Sequence, residues 1–405
     1  HGKYKSAVEP YLSQEMSPEN REQMTVLLNS VWNTIVEDIA KSRKLSVVQL
    51  NAIANSLGAR TPELALANKL VDKIAYEDEY HDMIRAKLKL DKKEKYDIVS
   101  ITDYAKTAAS TVEDYTKKDI IAVIYAQGEI AGGEGDVNII GEGSIKRSLQ
   151  EARENEDVKA IVLRVNSPGG SALTSELIWR EIEITKKTKP VVVSMGNYAA
   201  SGGYYIAANA DRIFAEPNTI TGSIGVFGML PNMNQLGKNI GINAEQVKTH
   251  ENASGYSIFE PIDENFKGFV LESIEKTYAT FLKRVADGRK MTTEQVDAIA
   301  QGRVWTGVDA QKLGLVDEIG GLDAAIKYAA KLGKTNSYRT ENFPEYEKSF
   351  EDLLANFTGM AMFKTKEQLL KEQLGEEGYQ MLEQIKRVKS RKGIQAMMPY
   401  EIEIH

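Results

Sequence analysis

Three apolar runs stand out along the chain: Ile120-Ile121-Ala122-Val123-Ile124-Tyr125, Val158-Lys159-Ala160-Ile161-Val162-Leu163-Arg164-Val165 and Pro190-Val191-Val192-Val193. They are short, rich in β-branched residues and bounded by turn formers, which predicts buried strands. Helical spacing follows two of them, from Ser171 to about Thr188 and through the Ala-rich stretch Tyr205 to Ala210. The alternation predicts an α/β core of βα units that begins at Asp119 and runs to Gly228. Phe266 to Val285 has the pattern of a long amphipathic helix. After Leu332 the pattern changes, and Lys364 to Lys389 shows helical spacing with mixed charges.

An internal repeat underlies this pattern. Lys44-Leu45-Ser46-Val47-Val48-Gln49-Leu50 lies against Lys290-Met291-Thr292-Thr293-Glu294-Gln295-Val296, and Asn51-Ala52-Ile53-Ala54 continues against Asp297-Ala298-Ile299-Ala300. After a slip of one residue, Leu70-Val71-Asp72-Lys73-Ile74 matches Leu315-Val316-Asp317-Glu318-Ile319. Only the second copy carries the strand core. Four segments result: 1–100 as the C-terminal remnant of a first repeat, 101–118 as a linker, 119–335 as the core repeat and 336–405 as a helical C-terminal tail. Met360, Met362, Met397 and Met398 give that tail an adaptable apolar character that suits packing or a contact between copies.

Two glycine motifs carry the chemistry. Asn166-Ser167-Pro168-Gly169-Gly170-Ser171 closes the second strand pattern, and Ala199-Ala200-Ser201-Gly202-Gly203-Tyr204 follows the third. Ser201 thus stands where a strand hands over to a helix, among residues small enough to admit a substrate. Free N–H groups at a helix start suit an oxyanion, so Gly202 and a turn N–H at Gly170 are candidates for that hole. Close packing of small residues is the alternative reading of either motif alone. Gly132-Gly133-Glu134-Gly135 and Gly141-Glu142-Gly143 lack the lysine and context of a phosphate loop and read as a mobile surface loop.

Composition narrows the choice. A net charge of −7 without a large basic block argues against a nucleic-acid partner. There is no cysteine, so disulfides and thiolate metal sites are excluded, and no His/Asp/Glu cluster has metal-ligand spacing. No cofactor is expected. No run of 18 apolar residues is present.

With these motifs in order, the run from Asp119 to Leu332 resembles the catalytic repeat of the signal peptide peptidase A family, also called the protease IV family. Further matches are Thr221-Gly222-Ser223-Ile224-Gly225-Val226, Trp305-Thr306-Gly307 and Gly314-Leu315-Val316-Asp317. The resemblance implies the crotonase/Clp-protease-like spiral of ββα units with additional helices. It implies a membrane-associated serine endopeptidase at the bacterial inner membrane, facing the periplasm, that degrades signal peptide remnants or other extended peptides as a homo-oligomer.

A serine nucleophile needs a base. Of the four histidines, His1 and His405 are terminal, His81 lies in a charged helical pattern, and only His250 is an imidazole candidate. Gly2-Lys3-Tyr4-Lys5-Ser6-Ala7-Val8-Glu9-Pro10 matches a motif of the long, two-repeat members, whose lysine is the general base; the resemblance therefore implies Lys5. Without it, a lysine so near the chain start reads as a solvated charge. Ser223 matches the serine that orients this lysine, and is otherwise a polar turn residue. Lys248 is the alternative base: short, single-repeat members keep serine and lysine in the same repeat, and Lys248 falls near the position equivalent to Lys5 in the second repeat. Long members carry most of a first repeat and usually a membrane anchor ahead of the Lys5 motif, so the resemblance implies an N-terminally truncated chain. Two other functions compete: a crotonase-type acyl-CoA enzyme, and an inactive oligomeric scaffold.

Overall fold

The computed structural model describes residues 2–6, 9–101, 103–104, 116–250, 252–253, 256–344 and 395–398. The helical spacing at 364–389, Met360 and Met362 lie outside the described residues. Two compact units divide the chain: His1–Leu27 with Lys117–His405, and Leu28–Thr116.

The larger unit is built on an eight-stranded sheet. Strand β1 (Asp119–Gln127) leads to the short β2 (Glu129–Ile130), β3 (Gly135–Asp136) and β4 (Ile139–Ile140), then to helix Glu142–Glu154. Next come β5 (Val158–Ser167), β6 (Gly169–Ser171) and helix Ala172–Thr185. Strand β7 (Val191–Ala200) runs directly into helix Gly202–Ala207, followed by β8 (Arg212–Ala215) and β9 (Ile220–Gly222). The unit is completed by β10 (Val304–Thr306), β11 (Glu318–Ile319), β12 (Tyr338–Phe343) and β13 (Gln395–Met397), with helices Glu264–Arg289 and Leu322–Leu332.

The main sheet has the order β10-β9-β7-β5-β1-β12, with β8 on β7 and β11 on β8. A second sheet has the order β13-β6-β2-β4-β3. Long strand β1 passes to the short strands β2, β3 and β4 of the second sheet, and β5 to β6, each before a helix, which is the expected spiral of ββα units. The mixed α/β class is as read from the sequence.

The apolar runs are continuous because both faces of the sheet are covered. Ile120, Ala122, Ile124, Ile161, Leu163, Val191 and Val193 join one buried cluster, with Ile145, Ile178, Tyr204 and Phe281 from the helices. The alternate residues Ile121, Val123, Ala160, Val162 and Val192 join another under Ala325, Ala329 and Ala330 of helix Leu322–Leu332. Period-two alternation sends neighbours to opposite faces, so a strand with apolar residues at every position serves both layers.

Two elements differ from the sequence reading. The Gly132–Gly143 stretch is not a free loop: β3 pairs with β4, and Gly143 and Ser144 donate N–H bonds to Gly133 O (3.0 Å) and Glu134 O (3.2 Å). The glycine-rich turn thereby supplies the acceptors that the first turn of helix Glu142–Glu154 lacks. Strand β12 had no expected counterpart; it pairs in parallel with β1 along six positions from Asp119↔Tyr338.

The repeat is visible in local structure. Helices Pro18–Arg43 and Glu264–Arg289 are both 26 residues long. Each is followed by a left-handed lysine, Lys44 (φ 56°) and Lys290 (φ 56°), and then by a capping box, Ser46 with Gln49 and Thr292 with Gln295. Arg43 pairs with Asp72 at 2.8 Å and Arg289 with Asp317 at 2.6 Å. The aspartates are those of the two Leu-Val-Asp segments, so the sequence match reflects one helical hairpin built twice.

Candidate active site

Ser201 caps the passage from β7 to helix Gly202–Ala207. Strand β7 extends beyond its apolar run because Tyr198, Ala199 and Ala200 pair with Ile220, Thr221 and Gly222 of β9. The helix starts at Gly202, three residues earlier than the apolar pattern predicts, because Ser201 itself makes the turn with φ 54° and ψ −114°. Ser223, directly after β9, also has a positive φ of 50°. A non-glycine residue held so costs about 1–3 kcal/mol, which the surrounding structure must offset. The hydrogen bonds Ser201 N–H to Gly222 O (2.8 Å) and Ser223 N–H to Arg303 O (2.7 Å) hold both turns.

The N-terminal segment brings a lysine to these serines. Lys5 Nζ lies 3.0 Å from Ser201 Oγ, 3.0 Å from Ser223 Oγ and 3.1 Å from Ser223 O. Ser201 and Ser223 are fully buried and Lys5 is 8% exposed. No carboxylate contacts the amine among its hydrogen-bonded neighbours, and burial pushes the Lys5 pKa well below the ordinary lysine value. Ser223 Oγ also reaches Gly302 O at 3.4 Å, and Ser201 Oγ reaches Gly225 O at 3.3 Å.

The segment is pinned by its backbone. Tyr4 N–H donates to Gln301 O (2.9 Å), and Gln23 Nε2 donates to Tyr4 O (2.9 Å). The Tyr4 ring is buried, with the Arg303 guanidinium 4.9 Å from its centre. Gly302 has φ +78°, and a Cβ there would lie 2.7 Å from Lys5 Cβ and 2.9 Å from Lys5 N. Gln23, Arg303 and Gly302 were not singled out from the sequence. The only trace of Gly302 was its place as a turn former before the apolar strand β10.

The remaining candidates are placed as follows. Lys248 is exposed in the stretch after Gly241, and His250 is exposed beside Thr249. His81 belongs to the smaller unit, where it contacts Tyr96 and Glu77. None of the three is bonded to Ser201. Gly170 and Gly202 lie together: a Cβ on Gly202 would be 3.2 Å from Gly170 N and 2.7 Å from Ser175 Oγ. Their smallness is demanded by packing as well as by access. Among the described residues, no group of His, Cys, Asp or Glu could hold a metal ion. None of the described helices is long and apolar enough to cross a membrane.

A nucleophile-type serine turn, a buried amine and adjacent glycine N–H groups on a parallel α/β scaffold define a hydrolase-like class of site. The chain belongs to Peptidase family S49, whose model matches residues 1–91 and 183–336. It is 38% identical to Protease 4 of Salmonella typhi over 368 residues, covering 88% of this chain and 58% of that protein. It is 34% identical to the chloroplastic serine protease SPPA of Arabidopsis thaliana over 333 residues, covering 81% of this chain and 49% of that one. A putative signal peptide peptidase SppA of Enterococcus faecium is 36% identical over 187 residues, 46% of this chain and 54% of that protein. The chain thus spans about half the length of the curated relatives it matches. Among solved structures, a ClpP1 mutant from Listeria monocytogenes aligns with a TM-score of 0.35 at 16% identity, over 50% of this chain and 94% of that one.

Proposed function

We propose that the chain is a serine endopeptidase in which Ser201 is the nucleophile and Lys5 the general base. The observation that supports this is the buried Lys5 amine 3.0 Å from Ser201 Oγ. A neutral amine has two N–H bonds and one lone pair. The N–H bonds point to Ser223 Oγ and Ser223 O, which leaves the lone pair for the Ser201 hydroxyl proton. Ser223 is then a positioning residue.

As Ser201 Oγ attacks the scissile carbonyl carbon, its proton passes to Lys5 Nζ. The resulting oxyanion is held by the Gly170 and Gly202 N–H groups. Collapse breaks the C–N bond, and the Lys5 ammonium returns the proton to the leaving amine. Water then attacks the acyl ester, losing a proton to Lys5; the acyl C–Oγ bond breaks, and the Lys5 ammonium returns the proton to Oγ, which regenerates Ser201 and releases the acid.

Substrates on this reading are extended peptides such as signal peptide remnants, in keeping with the name of the Enterococcus relative. Association with the bacterial inner membrane on its periplasmic side, and assembly of several copies, follow from the family likeness alone. An acyl-CoA enzyme of the same fold would leave the buried Lys5 amine without a task. The test is labelling by a fluorophosphonate probe: a covalent adduct on Ser201 that disappears in Ser201→Ala and Lys5→Ala supports the reading, and an unlabelled folded parent chain refutes it.

A further inference from the structure

The turn that receives the Lys5 segment is strained. Gln301 has φ 55° and Gly302 φ 78°, and only the second of these is a glycine. A glutamine is disfavoured at positive φ, so its surroundings must hold it there. The same turn is the dock for the segment. Gln301 O accepts the Tyr4 N–H at 2.9 Å, and a Cβ on Gly2 would lie 2.6 Å from Gln301 O. Gly302 O accepts from Ser223 Oγ at 3.4 Å, and Arg303 O accepts the Ser223 N–H at 2.7 Å. The Lys5 segment and Ser223 thus meet on the consecutive carbonyls of Gln301, Gly302 and Arg303.

What holds Gln301 is Tyr278, a buried residue of helix Glu264–Arg289. The Gln301 N–H donates to Tyr278 Oη (3.3 Å), Tyr278 Oη donates to Asp297 Oδ1 (2.5 Å), and Gln301 Nε2 donates to the same carboxylate oxygen (2.6 Å). Burial, and after it the Asp297 bond, push the Tyr278 pKa far above the ordinary phenol value, so the proton stays on Oη. The first copy of the repeat supplies an internal comparison. The gapless match that sets Lys44 against Lys290 also sets Trp32 against Tyr278 and Asn51 against Asp297. Trp32 Nε1 donates to Asn51 Oδ1 at 2.7 Å, the counterpart of the Tyr278–Asp297 bond. An indole N–H only donates, whereas a phenol oxygen donates and accepts. In the first copy, helix Val47–Asn55 runs on through Asn55, the counterpart of Gln301. In the second, helix Thr293–Ile299 stops short, and Gln301 turns to positive φ with its N–H on the phenol oxygen.

We propose that Tyr278 is a positioning residue for the base: its hydroxyl holds the Gln301 turn at positive φ, and that turn seats the Lys5 segment beside Ser201 and Ser223. Tyr278 acts through Gln301 rather than on the reacting atoms. Loss of the hydroxyl strands the Gln301 N–H and lets the residue relax towards negative φ, which swings its carbonyl away from the Tyr4 N–H. That Lys5 is the base rests on the peptidase reading above; the docking of its segment does not.

The test uses the full chain and two readouts. Tyr278→Phe removes the hydroxyl and keeps the ring in the core. Its kcat on a peptide ester should fall at least about tenfold, with KM within about twofold of the parent. The Tyr4 amide, followed by hydrogen exchange and mass spectrometry, should exchange at least about tenfold faster. Glycine takes positive φ without steric cost, so adding Gln301→Gly to Tyr278→Phe should raise kcat again by at least about threefold and slow the Tyr4 exchange. A folded Tyr278→Phe chain with the kcat and Tyr4 exchange of the parent overturns the proposal, as does a loss that Gln301→Gly leaves untouched. Should Tyr278→Phe melt early, Gln301→Val strains the same turn without touching the buried ring, because a β-branched residue resists positive φ. It should bring the same loss in kcat and the same faster exchange. Faster Tyr4 exchange in the variants of a parent that hydrolyses no ester upholds the turn and refutes the peptidase reading; ester hydrolysis by the parent with Tyr4 exchange unmoved in the variants does the reverse.

Discussion

Lys5 Nζ lies 3.0 Å from Ser201 Oγ, across 196 positions of sequence. The contact joins the first turn of the N-terminal segment to the end of β7, both within one compact unit. It makes a hydroxyl that is inert alone into a nucleophile candidate, because burial favours the neutral amine that accepts its proton.

Replacing Ser201 by alanine should abolish hydrolysis of a peptide ester, lowering kcat/KM by at least about a thousandfold. Stability should move by no more than about 2 kcal/mol, since alanine and serine bear the turn similarly and two hydroxyl contacts, to Lys5 Nζ and Gly225 O, are lost. Ester turnover and thermal unfolding of the same preparation check both halves; retained turnover would rule Ser201 out as nucleophile.

The two lysines should separate cleanly. Lys5→Ala removes the amine bonded to Ser201 and should cost activity about as much as loss of the serine. Lys248 is exposed and unbonded to the serine, so Lys248→Ala should stay within about twofold of the parent. The opposite ranking would move the base to Lys248.

Activity and stability should both depend on Lys5 protonation, with defined signs. Hydrolysis should rise with pH as the amine loses its proton. Burial lowers the folded-state pKa, so between that value and the unfolded value of about 10.4 the unfolded chain binds the extra proton and stability rises with pH. Lys5→Met has no such proton. The stability difference between Lys5→Met and the parent should therefore favour the variant most at low pH and shrink towards pH about 10. Urea melts across pH measure it, and a constant gap would mean that Lys5 titrates normally in the fold.

Gly302→Ala should act on Lys5 without touching the serines. A methyl at φ +78° and 2.7 Å from Lys5 Cβ must push the lysine backbone aside. A displacement approaching 1 Å lowers kcat by about a hundredfold. The effect should fall on kcat with KM nearly unchanged, and the pH profile should move upward as the amine gains water. A parallel loss in KM with an unmoved profile would make Gly302 a purely structural residue.

Much of this was legible in the residues themselves. The runs at Ile120, Val158 and Val191 read as buried strands because local burial on both faces leaves a continuous apolar record. The Ser201 turn was legible because strand, small residues and helix pattern follow one another within a few positions. The repeat was legible too, since the Lys44–Ala54 and Leu70–Ile74 segments recur at Lys290–Ala300 and Leu315–Ile319. Lys5 differed: its own neighbourhood reads as a solvated chain start, and only family resemblance pointed to it.

What tertiary structure alone decided is what depends on distant backbone. The burial that lowers the Lys5 pKa comes with neighbours such as Gly302 and Ser223, which share no local pattern with it. The closeness demanded of Gly302 is set by where residue 5 passes, and no spacing encodes that. Strand β12 was hidden because Tyr338–Phe343 has a mixed polar pattern and becomes a strand only by pairing with the edge of β1. Gln395–Met398 likewise carries three residues of pairing and little propensity of its own. Short segments take their conformation from the edge they meet, so the sequence determined the core and its serine turn, while the fold decided which amine and which strand came to them.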